Sequence, residues 1–146
     1  MDNCRDPRTG LPVHSLYGAA RQPDPSALAG LDLLVFDVQD VGARFYTYLY
    51  TMSLAMQAAA AQDLPFLVLD RPNPVGGLAV EGKVLDPVFA SFVGLYPIPI
   101  RYGMTVGELA GLFNEAFSIG VRLEVVRLRG WHREHHWEDT GLPWVP

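Results

Sequence analysis

Cysteine and lysine are almost absent from this chain of 146 residues. Cys4 is the only cysteine, which excludes an internal disulfide framework and any metal site built from several cysteines. Lys83 is the only lysine, beside ten arginines. This bias has two explanations: a need for planar side chains that bind carboxylates through two hydrogen bonds, or the base composition of the genome.

Long apolar segments and positive charge are also scarce. The longest apolar run, 45–61, is interrupted by polar and tyrosine residues and is shorter than the roughly 20 residues of a membrane span, so it is typical of a core helix. The first ten residues are charged and lack the apolar segment of a signal peptide. The net charge of −5 argues against nucleic acid as a partner. Compartment and oligomeric state stay undetermined.

Several motifs of common enzyme classes are missing. The first strongly apolar segment is not followed by a glycine-rich phosphate loop, and the chain contains neither a Walker motif nor a G-x-S-x-G elbow. His132, His135 and His136 match no zincin spacing. We therefore predict no nucleotide, metal or other cofactor, and no serine hydrolase.

The pattern of apolar residues predicts a single α/β domain over residues 1–146, with a mostly parallel sheet and flanking helices. The predicted strands are 13–17, 31–39, 66–69 and 121–128, and the predicted helices are 25–30, 41–62 and 106–118. The segment 31–39 is almost continuously apolar, which favours a central strand covered on both faces. Thr105 and Glu108 have the spacing of a capping box at the start of the last helix.

Two regions are predicted to be loops. Glycine and proline number 14 and 12, and many of them lie in 71–104, which indicates a long ordered loop of functional or interface character. The tail, 131–146, holds three tryptophans and no predicted closing element. Its indole rings either form a stacking surface for a sugar or pack against a neighbouring domain, and we favour the packing interpretation.

Polar side chains follow the predicted strands, where ligands bind in open α/β sheets. The candidates after 31–39 are Asp37, Gln39, Asp40, Arg44 and Tyr46, and those after 66–69 are Asp70, Arg71 and Asn73. A third group is Glu81, Arg101 and Tyr102, which precede a helix whose positive end attracts anions.

Structural interpretations stand beside these functional ones. Asp40 is placed either to bind a ligand or to cap the following helix. Arg71 and Asn73 both precede prolines that restrict their backbones, which suits a ligand site and a scaffold equally well. Arg101 is suited to a carboxylate or lactyl group, or to an internal ion pair.

Several sequence blocks resemble those of a known family, the NamZ-type exo-β-N-acetylmuramidases. The blocks are TGLPV (9–13), SLYG (15–18), FDVQDVGARFYTY (36–48), DRPNP (70–74), VEG (80–82), SFVG (91–94), PIP (97–99), Arg101 with GMT (103–105), GELA (107–110) and GW (130–131). They extend over nearly the whole chain, so the resemblance is specific.

The resemblance implies a Rossmann-like catalytic domain followed by a smaller C-terminal domain. It also implies release of terminal N-acetylmuramic acid from the non-reducing ends of peptidoglycan sugar chains, without a cofactor. The partners would be peptidoglycan-derived saccharides that contain N-acetylmuramic acid. Glycoside hydrolysis needs one carboxyl group to protonate the leaving oxygen and a second group as nucleophile, base or charge stabiliser.

The chain departs from the family in two respects. Family members are longer and carry, before the TGLPV block, a Glu-His-Gly segment whose glutamate is the favoured catalytic acid; no such segment occurs here. We therefore expect the chain to be the central part of the domain, truncated, without the presumed acid and without the C-terminal domain. Tyr102 stands where the family more usually has histidine, so that position does not titrate near neutrality.

These observations predict Asp40 and Glu81 as catalytic carboxylates. The residues predicted to bind substrate are Asp37, Gln39, Arg44, Tyr46, Asp70, Arg71, Asn73, Arg101 and Tyr102. The alternatives are a non-catalytic module that binds muramyl sugars and an inactive fragment. The choice between retention and inversion stays open, because it depends on the distance between the carboxylates.

Overall fold

The structure is a computed structural model that describes residues 3–18 and 20–144. In chain order its elements are β1 (Cys4–Arg5), β2 (Pro12–Val13), α1 (Pro25–Leu28), β3 (Leu34–Phe36), α2 (Tyr48–Ala61), β4 (Phe66–Leu69), α3 (Val106–Ala116) and β5 (Leu123–Val126). Two short 3₁₀ helices, Pro87–Phe89 and Trp137–Thr140, lie in the long loop and in the tail.

A parallel sheet forms the centre of the fold, in the order β3-β4-β5. Phe66 and Val68 of β4 are buried, as expected for the middle strand. The prediction that 31–39 is a central strand is wrong for the described residues, where β3 pairs on one side only and Val35 is 47% exposed. Its apolar sequence had indicated cover on both faces. The α/β class and the parallel sheet are confirmed.

Helix α2 supplies much of the core but begins later than predicted. Leu49, Met52 and Met56 are fully buried. The predicted helix 41–62 is wrong over its first seven residues, because long-range contacts hold them in an irregular conformation. Gly42 has a φ of 78°, and the Arg44 backbone N–H donates to the Ile100 carbonyl at 2.8 Å instead of to a helical partner.

The start of α3 confirms the predicted capping box. The Thr105 hydroxyl accepts a hydrogen bond from the Glu108 N–H, and the Glu108 carboxylate accepts one from the Thr105 N–H at 3.0 Å. The helix ends at Ala116, two residues before the predicted end, and Ser118 has a φ of 54°. Leu109 and Phe113 are fully buried in the core.

The two ends of the chain depart most from the predictions. The predicted strand 13–17 is wrong, since β2 ends at Val13 and pairs with β1 in an antiparallel hairpin that the sequence did not indicate. In the tail, Trp137–Thr140 forms a 3₁₀ helix where no element was predicted, and 145–146 lie outside the described residues. Helix α1 begins at Pro25 as predicted but ends at Leu28, two residues before the predicted end, and the Asp24 side chain caps it by accepting from the Ser26 N–H at 2.8 Å.

No helix in residues 3–18 and 20–144 combines the length and apolar character needed to cross a membrane.

Candidate functional site

A cleft of about 470 Å³ opens at the carboxyl ends of β3 and β4, and we call it the β3–β4 cleft. Its lining residues are Val38, Gln39, Val41, Tyr46, Tyr48, Arg71, Trp137, Leu142, Pro143 and Trp144. They come from the segment after β3, the start of α2, the segment after β4 and the tail. Three residues predicted to bind substrate, Gln39, Tyr46 and Arg71, therefore lie together.

Gln39 is held in one orientation by the backbone. Its Nε2 donates to the carbonyl oxygens of Asp40, at 2.6 Å, and Pro72, at 2.9 Å. Reversing the amide would place Oε1 against these two oxygens, so the orientation is decided by the acceptors. The Oε1 atom is buried and has no hydrogen-bond partner among the described residues.

Arg71 brings positive charge to the cleft. Its Nε donates to Asp37 Oδ1 at 2.9 Å, and its Nη2 contacts the same oxygen. Both side chains are substantially exposed, 39% for Arg71 and 47% for Asp37. An exposed ion pair of this kind contributes little to stability, so the guanidinium can turn to an acidic ligand at small cost.

Aromatic rings form two walls of the β3–β4 cleft. Tyr46 and Tyr48 meet edge to face, with ring centroids 4.9 Å apart, and Trp137 and Trp144 do the same at 5.2 Å. Trp137 Nε1 is buried and has no hydrogen-bond partner among the described residues. Such rings present apolar faces beside polar edges, which matches the surface of a sugar.

Asp40 follows Gln39 in the chain and is a buried carboxyl group outside the lining of the β3–β4 cleft. It is 6% exposed, and its Oδ2 accepts from the Gly42 N–H at 2.9 Å and from the Tyr102 hydroxyl. Its Oδ1 is buried, with no hydrogen-bond partner in residues 3–18 and 20–144. Burial raises the pKa of Asp40 to about 6, against the opposing effect of the backbone N–H groups of Gly42 and Val41.

Asp70 occupies the positive end of α3. Its Oδ1 accepts from the N–H groups of Arg71, at 3.0 Å, and Gly107, at 2.7 Å, and its Oδ2 accepts from the Thr105 hydroxyl at 2.9 Å. Burial raises the pKa of Asp70 above its ordinary value, and the three donors oppose that effect. The place predicted to attract an external anion therefore holds a carboxylate of the chain itself.

The Arg101 side chain is also committed to partners within the chain. Its Nη1 donates to Glu81 Oε2 at 2.8 Å and its Nη2 donates to the Val75 carbonyl, and the two backbones of Glu81 and Arg101 pair as an antiparallel bridge. Of the two interpretations of Arg101, the geometry matches the internal ion pair. Glu81 is 64% exposed and is not among the residues that line the β3–β4 cleft.

Arg44 and Asn73 anchor loops to one another. Arg44 Nη1 donates to the carbonyl oxygens of Lys83 and Ile98, both at 2.7 Å. Asn73 is 3% exposed, and its amide donates to the Met104 carbonyl at 2.8 Å and accepts from the Val75 N–H at 3.0 Å. These two predicted ligands hold the long loop against the sheet.

The structure thus divides the predicted site residues into two groups. Asp37, Gln39, Tyr46 and Arg71 lie at or beside the open cleft, with Asp40 and Tyr102 buried nearby. The others, Arg44, Asp70, Asn73, Glu81 and Arg101, are engaged with the chain itself. Sequence reasoning did not include Trp137 or Trp144 among the site residues, although the tryptophan-rich tail was the available signal.

No group of three or more histidine, cysteine, aspartate or glutamate side chains is placed to hold a metal ion within the part of the chain that the structure describes.

Three comparisons with known proteins agree with one another. A family model described as exo-beta-N-acetylmuramidase NamZ, N-terminal, matches residues 1–146. The peptidoglycan beta-N-acetylmuramidase NamZ of Bacillus subtilis (strain 168) is 57% identical over 140 residues, which are 96% of this chain and 34% of that protein.

Two crystal structures of DUF1343 family proteins from Bacteroides fragilis have the same fold. One has a TM-score of 0.93 at 48% identity, and the match covers 97% of this chain and 38% of the Bacteroides chain. The other has a TM-score of 0.82 at 38% identity, and the match covers 91% of this chain and 37% of the Bacteroides chain. The chain therefore spans little more than a third of the length of these relatives.

Proposed function

The chain belongs to the family of exo-beta-N-acetylmuramidase NamZ N-terminal domains, and from this premise we propose that it is part of a glycoside hydrolase that acts on peptidoglycan sugar chains. The reaction is release of terminal N-acetylmuramic acid from non-reducing ends. The β3–β4 cleft binds the muramyl sugar. We further propose that residues 1–146 form one structural unit of this Rossmann-like domain.

The observation that carries the proposal is the composition of the β3–β4 cleft. It lies at the carboxyl ends of parallel strands, where open α/β sheets bind their ligands. It combines two pairs of aromatic rings with an amide and a guanidinium group. Its volume of about 470 Å³ falls within the roughly 300–1,000 Å³ typical of small-molecule sites.

Gln39, Tyr46 and Arg71 are the substrate-binding residues in this proposal. The Arg71 guanidinium exchanges part of its ion pair with Asp37 for the lactyl carboxylate, to which a planar fork of donors is suited. Arg44, Asn73 and the Arg101–Glu81 pair hold the surrounding loops in place. Glu81, which the sequence predicts as a catalytic carboxylate, lies outside the lining of this cleft, and in this proposal it positions Arg101.

In the proposed reaction Asp40 acts electrostatically from outside the cleft lining, as the buried carboxyl group next to Gln39. A carboxylate without a cationic partner, in surroundings of low dielectric, favours the positive charge that develops on the sugar in an oxocarbenium-like transition state. The Tyr102 hydroxyl and the Gly42 N–H fix its Oδ2, so Oδ1 is the oxygen that carries the proton when the group is neutral. The second carboxyl group is the one that the resemblance attributes to a Glu-His-Gly segment.

The test measures binding and hydrolysis separately. Two proteins are compared: this chain and a longer chain that includes an upstream Glu-His-Gly segment. Each is titrated with N-acetylmuramic acid by calorimetry. Each is also assayed for release of N-acetylmuramic acid from a chromogenic β-muraminide. We expect saturable binding by both chains and release by the longer one. Absence of both binding and release would contradict the proposal. Binding without release by either chain would favour a non-catalytic module.

A variant of the longer chain assigns the role of Asp40. Asp40→Asn keeps the shape and the two bonds to Oδ2 but removes the negative charge, so we expect kcat to fall about 100-fold with little change in KM. An unchanged kcat would exclude Asp40 from the chemistry while leaving the sugar-binding proposal intact.

A further inference from the structure

Two buried polar atoms without partners among the described residues belong to side chains that line the same cleft. Gln39 contributes an acceptor, Oε1, and Trp137 contributes a donor, the Nε1 hydrogen. Buried polar groups in native proteins almost always have a hydrogen-bond partner, so each exception needs an explanation. One unpaired donor and one unpaired acceptor within a single cleft match the two polar ends of a secondary amide.

We propose that the β3–β4 cleft recognises the 2-acetamido group of its sugar, through a hydrogen bond from the amide N–H to Gln39 Oε1 and one from Trp137 Nε1–H to the amide carbonyl. This inference rests on the proposed function and adds to it the residues that select N-acetylated sugars. The apolar faces of Tyr46 and Trp144 contact the acetyl methyl group and the ring.

The orientation of each group supports this assignment. The two carbonyl acceptors at 2.6 and 2.9 Å hold Gln39 Nε2, which leaves Oε1 as the free acceptor. Trp144 packs against Trp137 with ring centroids 5.2 Å apart and is 49% exposed. The proposal requires this half-exposed ring to move, so that a ligand reaches the indole N–H.

Trp131 supplies a matched control. Its Nε1 is also buried without a partner among the described residues, but Trp131 does not line the β3–β4 cleft. Trp131→Phe and Trp137→Phe therefore make the same chemical change, loss of one unpaired indole N–H, at two different places.

The experiment compares two ligands by calorimetry on the 146-residue chain: N-acetylmuramic acid, and 3-O-lactylglucose, which has a hydroxyl in place of the acetamido group. We expect the wild type to prefer the acetylated sugar by about 10-fold or more, since two neutral hydrogen bonds are lost with the hydroxyl. Trp137→Phe reduces this preference about 5-fold by weakening binding of N-acetylmuramic acid alone. Trp131→Phe leaves the preference unchanged.

Gln39→Met is a second variant, which removes the acceptor Oε1. Because the substitution also removes the two hydrogen bonds that Nε2 donates, the melting temperature of the variant is measured as well. If the wild type binds both sugars equally, or if Trp137→Phe keeps the wild-type preference, the inference is overturned while the proposed muramyl-sugar site stands. If the wild type binds neither sugar, the proposed function fails together with it. A melting temperature near that of the wild type and a reduced preference in Gln39→Met would support the acceptor role.

Discussion

Asp37 and Asp70 occupy equivalent positions in the sequence and different ones in the molecule. Each is the first residue after a parallel strand, β3 or β4. Asp70 accepts hydrogen bonds from three groups of the chain, whereas Asp37 is exposed and contacts Arg71. A polar residue at a strand end is therefore a structural cap or a site residue according to what approaches it in space.

The approaching element in one case is α3, and a glycine allows the approach. A Cβ atom at Gly107 would lie 2.6 Å from Val125 Cγ1 and 2.8 Å from Asp70 Cγ. Only a residue without a side chain lets the helix N-terminus reach Asp70. Helix α2 begins at Tyr48, and the segment between β3 and α2 contributes Val38, Gln39, Val41 and Tyr46 to the lining of the β3–β4 cleft.

The largest effect on stability is expected from replacing Asp70, the partly buried member of the pair Asp37 and Asp70. Asp70→Ala leaves the Thr105 hydroxyl and the N–H groups of Arg71 and Gly107 without their acceptor, which should lower the free energy of unfolding by about 3 to 4 kcal/mol. The matched variant Asp37→Ala should lower it by less than about 1 kcal/mol, because its ion pair is exposed. Urea denaturation followed by circular dichroism measures both. Equal losses would show that the two aspartates do not differ in structural role.

The second prediction concerns pH and Asp40, which is buried although it belongs to the segment beside the open cleft. Its pKa is about 6 in the folded chain and 3.8 ordinarily, so well below pH 3.8 both states are protonated and the full stability is present. As pH rises from there to 6, the unfolded chain ionises while the folded chain keeps its proton, and the free energy of unfolding falls by about 3 kcal/mol, at about 1.4 kcal/mol per pKa unit. Above pH 6 both states are ionised and the fall is complete.

Asp40→Asn should remove most of this fall. The variant and the wild type should have similar stabilities at pH 4, and the variant should be the more stable at pH 7. Asp70 contributes a fall in the same direction in both proteins, since burial also raises its pKa. Parallel stability curves between pH 4 and 7 would mean that Asp40 is solvated in the folded chain.

Gly42 makes the turn after β3, in the segment that was predicted to be helical but is irregular. Gly42→Ala introduces a Cβ 2.3 Å from Asn73 Oδ1 at a φ of 78°, and we expect a loss of about 2 kcal/mol in the free energy of unfolding. Gly111→Ala is the control: no atom lies within 4 Å of its added Cβ and its φ is helical, so it should gain about 0.5 kcal/mol. Thermal melts compare the two, and a melting temperature unchanged in Gly42→Ala would contradict the tight packing against Asn73.

The smallest effect on stability is expected from replacing Arg71, where stability and ligand binding should respond differently. Arg71→Ala should change the free energy of unfolding by less than about 1 kcal/mol, yet weaken binding of N-acetylmuramic acid about 10-fold or more through loss of a charge-assisted contact. Arg122→Ala removes another exposed ion pair, with Asp63, and should leave binding unchanged. Equal affinities in the two variants would place the lactyl group away from Arg71.

The features predicted correctly from sequence are those set by neighbouring residues. The strand 66–69 is found as Phe66–Leu69, as its short apolar run predicts, and the Thr105–Glu108 capping box forms as expected, since it depends on hydrogen bonds between residues three apart. The prediction failed over 41–47, where the apolar spacing is helical but a bond from Arg44 to Ile100 imposes another conformation. No local pattern encodes a partner more than fifty residues away.

The same distinction applies to the candidate site. Sequence alone determined the α/β class, the resemblance to the muramidase family and the set of polar residues at the strand ends. Tertiary structure alone decided that Asp70 caps α3, that Arg101 pairs with Glu81, and that Trp137 of the tail joins Gln39 in one cleft. The physical reason is that hydrogen-bonding groups are satisfied by whichever partners the folded chain brings within reach, and that proximity depends on packing between segments distant in sequence.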